Sequence, residues 1–391
     1  MERDYFISWS QQNNPETLDI LSCDDFYINL QSGKSILEMS SISYQASFGL
    51  KNEKILESIK NQMDWFPLSS PKSDFSLKKT VTQKLNALIG DKGKTFFTTS
   101  GSESIENALK MAKTLSGKKK ILARQKSYHG ATLGALSVTG DWRRHGHVED
   151  IDHWVIRIPE PDQDPDLLKT EEILKKNKFD VAAFCLETIS GSNGVVIPSK
   201  KWWKGIENLC QKYRVYLIVD EIVCAFYRTG KPFGFHHYDI NPDFICMAKA
   251  ISGGYIPFGA LWVKQKLTTY FDDNVLSAGL TSYAHPLGLA ALKSVLEICE
   301  DPNFQKDLEK KISFFEKKLK STNFKFRSIG LLALIEYDKF ISWGEFIESN
   351  LHVYCKNGHV ILCPALTMPQ EIMEMGLNKL ENLINSSVSS K

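Results

Sequence analysis

The sequence lacks an apolar run long enough to cross a bilayer, and its N-terminus has no apolar signal core. It also lacks a charge imbalance, since 48 Lys and Arg face 46 Asp and Glu and leave a formal net charge of +2. These absences give no reason to expect a membrane or a nucleic acid as partner. We therefore expect a cytoplasmic globular protein, which the 42% hydrophobic and 24% charged composition suits.

Cysteine and histidine patterns typical of disulfide frameworks and metal sites are also absent. The eight cysteines include no CxxC pair, and the nine histidines form no HExxH motif. Several cysteines lie inside apolar runs such as AAFCLE and FICMAK. We therefore expect reduced thiols buried in the core, and no metal site.

The sequence does contain an alternation of short apolar strands and amphipathic helices between about residues 95 and 265. This alternation predicts an α/β fold with a mostly parallel sheet. The 391 residues suffice for one large core and a smaller second domain. Beyond residue 300 we predict strands within Phe324–Tyr337 and at His359–Leu362, a helix at Gln370–Ile384, and a disordered tail, SSVSSK.

Two ionisable residues follow two of the predicted strands. Asp220 ends the apolar run that begins at Val215, and Lys249 comes just after the run Phe244–Met247. Functional residues of buried parallel strands gather at the C-terminal edge of the sheet. A carboxylate and a lysine at one edge suit a pyridoxal phosphate site, in which lysine forms the Schiff base and the acid holds the pyridine nitrogen protonated.

A second candidate feature is the segment KTFFTTSGSESIENALKMAK, where a strand, a small-residue turn and a helix follow one another. The turn is Ser100-Gly101-Ser102, and the predicted helix runs from Glu103 to Lys113. Free N–H groups and the helix dipole make such a helix start an anion site suited to a phosphate. An ordinary strand–helix turn, with Ser100 or Ser102 as the N-cap, explains the same residues.

Two further strand exits carry candidate site residues. Tyr128 precedes His129 after the predicted strand Lys120–Arg124, where an aromatic ring can stack on a planar cofactor or simply belong to the rim of the core. Glu187 ends another predicted strand and is followed by the glycine-containing loop TISGSNGVVIP. Such a loop is typical of a close approach between the backbone and a neighbouring group.

Together these segments resemble the class III (ω-) aminotransferases, PLP enzymes of fold type I. The resemblance covers nearly the whole chain, and FISWSQQNNP, SNGVVIP and GLTSYAHP are similar to the taurine–pyruvate and β-amino acid subgroup. It implies a large domain with a mostly parallel seven-stranded sheet sandwiched by helices, and a small α+β domain built from both ends of the chain. The implied division is residues 1–45 and 289–391 for the small domain, and 46–288 for the large one.

The resemblance also implies roles for the residues at the sheet edge. Lys249 matches the Schiff-base lysine, which forms an internal aldimine with PLP, and Asp220 matches the acid that pairs with the pyridine nitrogen. Ile222 matches the aliphatic residue under the ring, on the same side of an extended chain as Asp220. Tyr128 matches the aromatic residue over the other face. His129 belongs to the same motif, and we expect it to support a neighbour rather than transfer protons.

The remaining cofactor contacts come from the turn and from a second subunit. Gly101 and Ser102, with Ser100 before them, match the phosphate-binding turn. Thr281 matches a residue that reaches the phosphate from the neighbouring subunit, which implies an obligate homodimer. Arg228, in FYRTG, matches an arginine of the family that we interpret as structural.

The sequence departs from the family at the expected substrate arginine. Many class III enzymes have a C-terminal arginine that binds a substrate carboxylate and pairs with the glutamate matched by Glu187. Tyr354 stands at that position, and only Lys356 is near it in sequence. Glu187 would then be a costly buried carboxylate, unless another cation replaces the arginine, a substrate amino group contacts it, or it is exposed. The predicted substrate pocket comprises Tyr44, Trp65, Glu187 and Tyr354.

The implied reaction moves an amino group from an amine or an ω- or β-amino acid donor to a carbonyl acceptor of the pyruvate or 2-oxoglutarate type. Lys249 is the general base of this transfer, and the cofactor alternates between PLP and its pyridoxamine form, PMP. A racemase, an epimerase or an aminomutase of the same fold is the alternative, because it shares the site and differs in where the proton returns. A non-enzymatic interaction protein is a more distant alternative, which retention of both Asp220 and Lys249 disfavours.

Overall fold

The computed structural model describes residues 3–338, 341–356 and 358–386. The N-terminal part contributes three short strands and one left-handed turn. Ser32, Gly33 and Lys34 lie in the connection between the second and third strands, which pair as an antiparallel hairpin. These elements are β1 (Ile20–Cys23), β2 (Tyr27–Leu30), β3 (Ser35–Glu38) and α1 (Ser41–Tyr44).

The middle of the chain alternates strands with helices, as the sequence predicted. In order, the elements are α2 (Glu53–Trp65), α3 (Ser76–Ile89), β4 (Gly93–Thr98), α4 (Gly101–Ser116), β5 (Lys120–Arg124), α5 (Leu133–Val138), β6 (Val155–Ile158), α6 (Leu168–Asn177), β7 (Val181–Glu187), α7 (Lys200–Tyr213), β8 (Tyr216–Asp220), β9 (Phe244–Met247) and β10 (Gly259–Lys264). Short 3-10 helices occur at Trp142–Arg144, Gly234–His237 and Lys249–Ser252.

Strands β4 to β10 form one seven-stranded sheet in the order β4-β10-β9-β8-β7-β5-β6. Only β10 runs antiparallel to its two neighbours, so the sheet is mostly parallel. Every residue of β7 and of β9 is buried, as expected for strands covered on both faces. The carboxyl ends of β5, β7, β8 and β9 consequently meet at one edge of the sheet, confirming the predicted fold class.

The C-terminal part builds a second layer. Its elements are α8 (Gln265–Thr268), α9 (Tyr270–Asp273), α10 (Pro286–Glu300), α11 (Pro302–Lys320), β11 (Lys325–Ile329), β12 (Leu332–Glu336), α12 (Trp343–Glu348), β13 (Leu351–His352), β14 (Tyr354–Lys356), β15 (His359–Leu362) and α13 (Gln370–Ser386). A four-stranded antiparallel sheet has the order β11-β12-β15-β14. Strand β13 pairs in parallel with β3, so both ends of the chain share a sheet, as predicted for the small domain.

The predictions for this part agree with the structure with small shifts at the boundaries. The segment Phe324–Tyr337 divides into the hairpin β11–β12, and β15 has the predicted bounds. Helix α13 extends two residues beyond the predicted Ile384, to Ser386. The rest of the predicted tail, residues 387–391, lies outside the described residues. Helix α10, which crosses the predicted boundary at residue 288, packs against α2 and α3.

The cysteines agree with the expectation of reduced thiols that lie mostly in the core. All eight cysteines are free thiols, and six are buried, while Cys23 and Cys355 are partly exposed. Within residues 3–338, 341–356 and 358–386, no helix combines the length and apolar character that a membrane span requires.

Candidate active site

A cavity of about 350 Å³ opens at the carboxyl edge of the seven-stranded sheet. Asp220 and Lys249 both line it, because β8 and β9 are parallel neighbours whose ends coincide. Asp220 is 5% exposed, and its Oδ2 lies 2.7 Å from Nδ1 of His129, which is itself buried. His129 therefore supports the Asp220 carboxylate, while its own Nε2 has no hydrogen-bond partner among the described residues.

Lys249 is held in an uncommon environment at the end of β9. Its φ of +51° lies in the left-handed region, which a non-glycine residue adopts only under constraint from its surroundings. Its Nζ lies 5.2 Å from the centre of the Tyr44 ring. Burial lowers the pKa of Lys249, with the nearby Asp220 and Glu187 carboxylates acting in the opposite direction. A lysine with a lowered pKa has a larger fraction of neutral amine near neutral pH, and the neutral amine is the form that acts as nucleophile or base.

The predicted phosphate turn begins a long helix that points at the cavity. Ser100 is the N-cap of α4, because its Oγ accepts a hydrogen bond from the Glu103 N–H at 3.2 Å. The N–H groups of Gly101 and Ser102 lie in the first turn of the helix, where no intrahelical acceptor exists for them. The structure confirms that Ser100 caps the helix, and it places Gly101 and Ser102 in the lining of the cavity, where the phosphate role stays a prediction.

Gly101 packs closely against Ile222, so a side chain at position 101 would displace the end of the Ile222 side chain. A Cβ there would lie 2.6 Å from Cδ1 of Ile222, well inside contact distance. Ile222 lines the cavity, but the prediction that it follows Asp220 along an extended chain is wrong. The strand ends at Asp220 and the chain turns, and the Ile222 N–H donates to Oδ1 of Asp220 at 3.0 Å. The turn, rather than strand alternation, brings the side chain to the site.

Glu187 has the cationic partner that its burial requires. It ends β7 and is 7% exposed, and Nη2 of Arg124 lies 3.6 Å from its Oε2. Its Oε1 accepts a hydrogen bond of 2.7 Å from the Tyr128 N–H, and its Oε2 accepts one from Ser190. Arg124 is 1% exposed and also binds Oε2 of Glu160 at 3.1 Å. Of the three explanations left open by the sequence, substitution by another cation agrees with this geometry.

Arg143 lines the same cavity, and the sequence analysis missed it. It lies in the 3-10 helix after α5, and its guanidinium is 4.3 Å from the centre of the Tyr128 ring. The rings of Trp9 and Trp142 lie 5.6 Å and 5.5 Å from it. Asp141 orients the guanidinium through Nη1. Arg143 was missed because this irregular loop has no hydrophobic periodicity that would fix the direction of a side chain. The presence of a basic residue soon after Tyr128 could have indicated it.

Asp141 is itself fixed by two further hydrogen bonds. Its Oδ1 accepts from the Arg143 N–H at 2.9 Å, and its Oδ2 accepts from Nδ2 of Asn193 at 3.0 Å. Asn193 belongs to the loop after Glu187 that the sequence predicted to approach a neighbouring group. This loop therefore positions Arg143 through Asp141.

The structure brings Tyr44 and Tyr354 to the cavity but leaves two predicted site residues outside it. Tyr44 is 7% exposed, and its hydroxyl has no hydrogen-bond partner among the described residues. Trp65, at the end of α2, is 67% exposed, and its ring meets the Phe66 ring edge-on. Thr281 is exposed in a turn before α10. Within one chain, neither Trp65 nor Thr281 lines the cavity.

Comparison with known proteins agrees with this geometry. The family profile of the class-III aminotransferases matches residues 9–384. An acetylornithine aminotransferase of Bacillus subtilis is 31% identical over 379 residues, which cover 94% of this chain and 95% of that protein. A vanillin aminotransferase of Capsicum chinense is 30% identical over 343 residues, covering 79% of this chain and 74% of that protein.

A solved structure gives the same answer for the fold. A taurine:2-oxoglutarate aminotransferase from Bifidobacterium kashiwanohense, in complex with PLP and glutamate, has a TM-score of 0.92 at 27% identity. The alignment covers 98% of this chain and 96% of that chain. This chain therefore belongs to the class III aminotransferases and is a PLP-dependent transaminase of fold type I. The racemase and aminomutase alternative is not favoured.

The residues of the cavity fit PLP chemically. A helix N-terminus with unsatisfied N–H groups suits the phosphate, and the Asp220 carboxylate suits a pyridinium nitrogen. Lys249, with its lowered pKa, is the amine available in the same cavity.

Proposed function

We propose that this transaminase takes donors that carry an acidic group remote from the reacting amine, as ω- and β-amino acids and their sulfonate analogues do. The observation that carries the proposal is Arg143 in the wall of the cavity that also holds Lys249. Its Nη1 binds Asp141, while the other guanidinium N–H groups make no hydrogen bond within the described part of the chain. A guanidinium with free donors is suited to binding a carboxylate or a sulfonate.

We assign roles to the other cavity residues on the assumption that the cavity binds PLP. Gly101 and Ser102, with Ser100 before them, would hold the phosphate of PLP, and Tyr128 and Ile222 would contact its ring. Asp220, supported by His129, would keep the ring nitrogen protonated. When bound, PLP supplies an electron sink for bond breaking at the substrate carbon.

Lys249 moves the proton on this reading. It accepts the proton from the carbon that bears the substrate amine and returns it during the transfer. The lowered pKa of Lys249 favours the neutral amine that this proton transfer requires.

The names of two relatives support a remote acidic group, whereas that of the vanillin aminotransferase does not. One transaminates taurine with 2-oxoglutarate, and another is a probable γ-aminobutyrate transaminase of rice, 26% identical over 423 residues. Taurine and γ-aminobutyrate each carry an anionic group two or more bonds from the amine carbon. We infer an acceptor of the pyruvate or 2-oxoglutarate type, matching the acceptor of the first relative.

A homodimer is part of the proposal. Trp65 and Thr281 lie on the outside of the single chain, although both match site positions of the family. Met63, Leu68 and Val275 add exposed apolar side chains on the same two segments, as is typical of an interaction surface. We infer that each chain contributes Thr281 and Trp65 to the site of its partner. The test compares Thr281→Ala with the unaltered enzyme. Sedimentation is expected to give the same dimer mass for both, whereas the affinity for PLP is expected to fall in Thr281→Ala.

Two coarser expectations from the sequence also remain proposals. We infer domain limits at residues 45/46 and 288/289. Limited proteolysis tests the second limit, because cleavage is then expected between α9 and α11. We also propose a cytoplasmic location, which imaging of a tagged full-length chain tests.

The donor class is tested with the PLP enzyme and no acceptor. Conversion of bound PLP to PMP is followed spectroscopically with β-alanine or taurine and with an uncharged amine such as benzylamine. Arg143→Met is expected to lose about 10- to 150-fold in the rate with the acidic donors, relative to the loss with benzylamine, because a charge-assisted hydrogen bond disappears.

The matched control is Arg144→Met, in the same 3-10 helix, whose guanidinium binds Asp152 rather than lining the cavity. It is expected to leave the ratio between acidic and uncharged donors unchanged. Equal losses with both donors in Arg143→Met would contradict the proposed donor class. A donor that changes configuration or position without forming PMP would contradict transamination itself.

A further inference from the structure

The turn α1, which brings Ser43 and Tyr44 to the wall of the cavity, has an unusual backbone. Ser41, Ile42, Ser43 and Tyr44 have φ values of +51°, +43°, +58° and +71°, so four consecutive non-glycine residues are left-handed. This conformation costs free energy at each L-residue, and a β-branched side chain such as that of Ile42 is especially unsuited to it. A strained backbone persists only where its surroundings over-determine it. Other groups must therefore hold this turn in place.

Glu38, at the end of β3, holds the start of the turn. Its side chain is buried, and its Oε1 accepts hydrogen bonds from the Ser40 N–H and, at 2.7 Å, from the Ser40 hydroxyl. Its Oε2 is hydrogen-bonded to Nδ1 of His352 in β13. The Trp343 ring meets the imidazole edge-on, with 6.2 Å between the ring centres. One carboxylate oxygen thus binds the turn, and the other binds the C-terminal part of the chain.

The pairing of β3 with β13 fixes the same contact through the backbone. Glu38 and His352 are register partners in this parallel pair, and the Met39 N–H donates to the His352 carbonyl at 2.9 Å. Parallel strands run in the same direction, so the two chains continue toward the same end of the sheet. There β3 leads to Tyr44 and β13 leads to Tyr354, and both tyrosines line the cavity.

Arg228 holds the turn from its other side. Its guanidinium is fully buried and donates to the hydroxyls of Ser41 at 3.2 Å and Ser47 at 3.0 Å. The Ser41 hydroxyl donates in turn to the Cys363 carbonyl. Two buried charged side chains, those of Glu38 and Arg228, therefore fix the two ends of the strained turn.

We propose that Glu38, held by His352, is a positioning residue of the reaction, because the pair keeps α1 left-handed and so sets where Tyr44 lies in the cavity. This inference rests on the proposed function, in which the cavity is the substrate site. Neither Glu38 nor His352 is among the described residues that line the cavity, so both act through the turn. Without the pair, the turn is expected to relax and to move the Tyr44 ring away from Lys249, whose Nζ lies 5.2 Å from the ring centre.

Hydrogen exchange of the holoenzyme tests the link between Glu38 and the turn without any substrate. The Tyr44 N–H donates to the Ser40 carbonyl and the Ala46 N–H to that of Ser41, so both amides report closure of the turn. Glu38→Met removes both carboxylate oxygens at similar side-chain length. It is expected to speed exchange in the peptide that contains the turn by about 10-fold or more, and to leave peptides from β7 and β9 unchanged.

Two further variants complete the exchange experiment. Glu38→Gln is expected to keep most of the protection, because its amide oxygen still accepts from Ser40. Glu171→Met is the matched control, since it removes a carboxylate that pairs with Lys212 and Tyr213 instead, and it is expected to leave exchange in the turn unchanged. Unchanged exchange in Glu38→Met, or an equal rise in every peptide, would overturn the proposal.

Glycine at position 42 separates backbone strain from side-chain packing. Ile42→Gly and Ile42→Ala remove nearly the same side chain, but only glycine adopts a left-handed backbone without steric cost. In urea titration, Ile42→Gly is therefore expected to have a severalfold higher ratio of folded to unfolded protein than Ile42→Ala. This comparison does not require Glu38→Met to fold. A more stable Ile42→Ala would contradict the strain on which the proposal depends.

The kinetic test follows formation of PMP in the PLP enzyme with β-alanine and with benzylamine. Glu38→Met is expected to raise the donor concentration at half-saturation by severalfold for both donors, while the affinity of the apoenzyme for PLP stays unchanged. Adding Ile42→Gly to Glu38→Met is expected to recover most of this loss, because the turn then needs less support. Adding Ile42→Ala is expected to recover none, and equal effects of glycine and alanine would contradict a role that acts through the turn.

The outcomes distinguish this proposal from the function on which it rests. Normal half-saturation in Glu38→Met, together with faster exchange in the turn, would overturn the positioning role and leave the proposed function intact. Failure of the unaltered enzyme to form PMP with β-alanine would instead refute the proposed donor class. The exchange and unfolding results would then still decide whether Glu38 holds the turn.

Discussion

Replacing Gly101 with alanine tests how tightly the phosphate turn and the ring contact are coupled. The new Cβ would lie 2.6 Å from Cδ1 of Ile222, 3.2 Å from its Cγ1 and 3.4 Å from Cβ of Ala248. Carbon atoms in contact prefer about 3.5–4.0 Å, so Ile222 must move by roughly 1 Å into the cavity. Because alanine is the better helix former, the helix α4 itself gains rather than loses stability. The effect therefore falls on the cofactor site.

The size of this effect follows from the cost of overpacking. An added methyl group in a packed region costs about 1–3 kcal/mol. If the displaced Ile222 opposes the ring, this cost appears as a PLP affinity weakened by about 5- to 150-fold. The assay is titration of the apoenzyme with PLP, followed by its visible absorbance. Thermal unfolding of the apoenzyme is expected to change little, because the cavity side of Ile222 can accept the shift when no ring is present.

Two further variants make the reasoning refutable. Gly344→Ala, in helix α12, is the control, since the nearest atom to a Cβ there is 3.9 Å away. Ile222→Val removes the Cδ1 atom that clashes, so the double variant with Gly101→Ala is expected to recover most of the lost affinity. Unchanged affinity in Gly101→Ala, or a double variant no better than Gly101→Ala alone, would refute the proposed packing of Ile222 against the ring.

Two other predictions concern stability. Arg228→Met is expected to lower the free energy of unfolding, measured by urea titration, by about 3 kcal/mol or more. The reason is that the fully buried guanidinium donates hydrogen bonds to the carbonyls of Leu331 and Pro364 and to two serine hydroxyls. A smaller loss than in Arg327→Met, which replaces an exposed arginine, would contradict the structural role of Arg228. Burial raises the pKa of Glu221 to about 7, so the folded state keeps a proton that the unfolded state loses above its ordinary value of 4.5. The free energy of unfolding is therefore expected to fall as the pH rises from about 4.5 through 7. In Glu221→Gln, the unfolding midpoint is expected to fall less steeply over that range than in the unaltered protein.

The placement of Asp220 and Lys249 in one cavity was predictable because it follows from the ends of two strands. Asp220 ends β8 and Lys249 lies two residues after the end of β9, and parallel neighbours end at the same edge of the sheet. The same rule applies to Arg124 and Glu187, which end β5 and β7. Their pairing was missed because the order of the strands, β7 next to β5, is not encoded in either segment. A residue's neighbour across the sheet depends on topology, which local patterns leave open.

The sequence failed to predict the positions of Arg143 and Ile222 for a different reason. Arg143 reaches the cavity from an irregular loop, where no hydrophobic period fixes the direction of a side chain. Ile222 was expected on an extended chain, but the hydrogen bond from its N–H to Asp220 turns the backbone there. Trp65 and Thr281 form a third group, because the roles proposed for them require a second copy of the chain. Sequence patterns describe one chain at a time.

The central claim is that Lys249 carries the cofactor, and borohydride reduction followed by peptide mapping tests it most directly. Reduction of the PLP enzyme fixes the cofactor to the amine that holds it. The expected result is one modified peptide with the pyridoxyl phosphate mass on Lys249, and no such peptide after an amine donor has converted the cofactor to PMP. A label on another lysine, or a Lys249→Ala variant that still converts donor and acceptor at the full rate, would contradict the account.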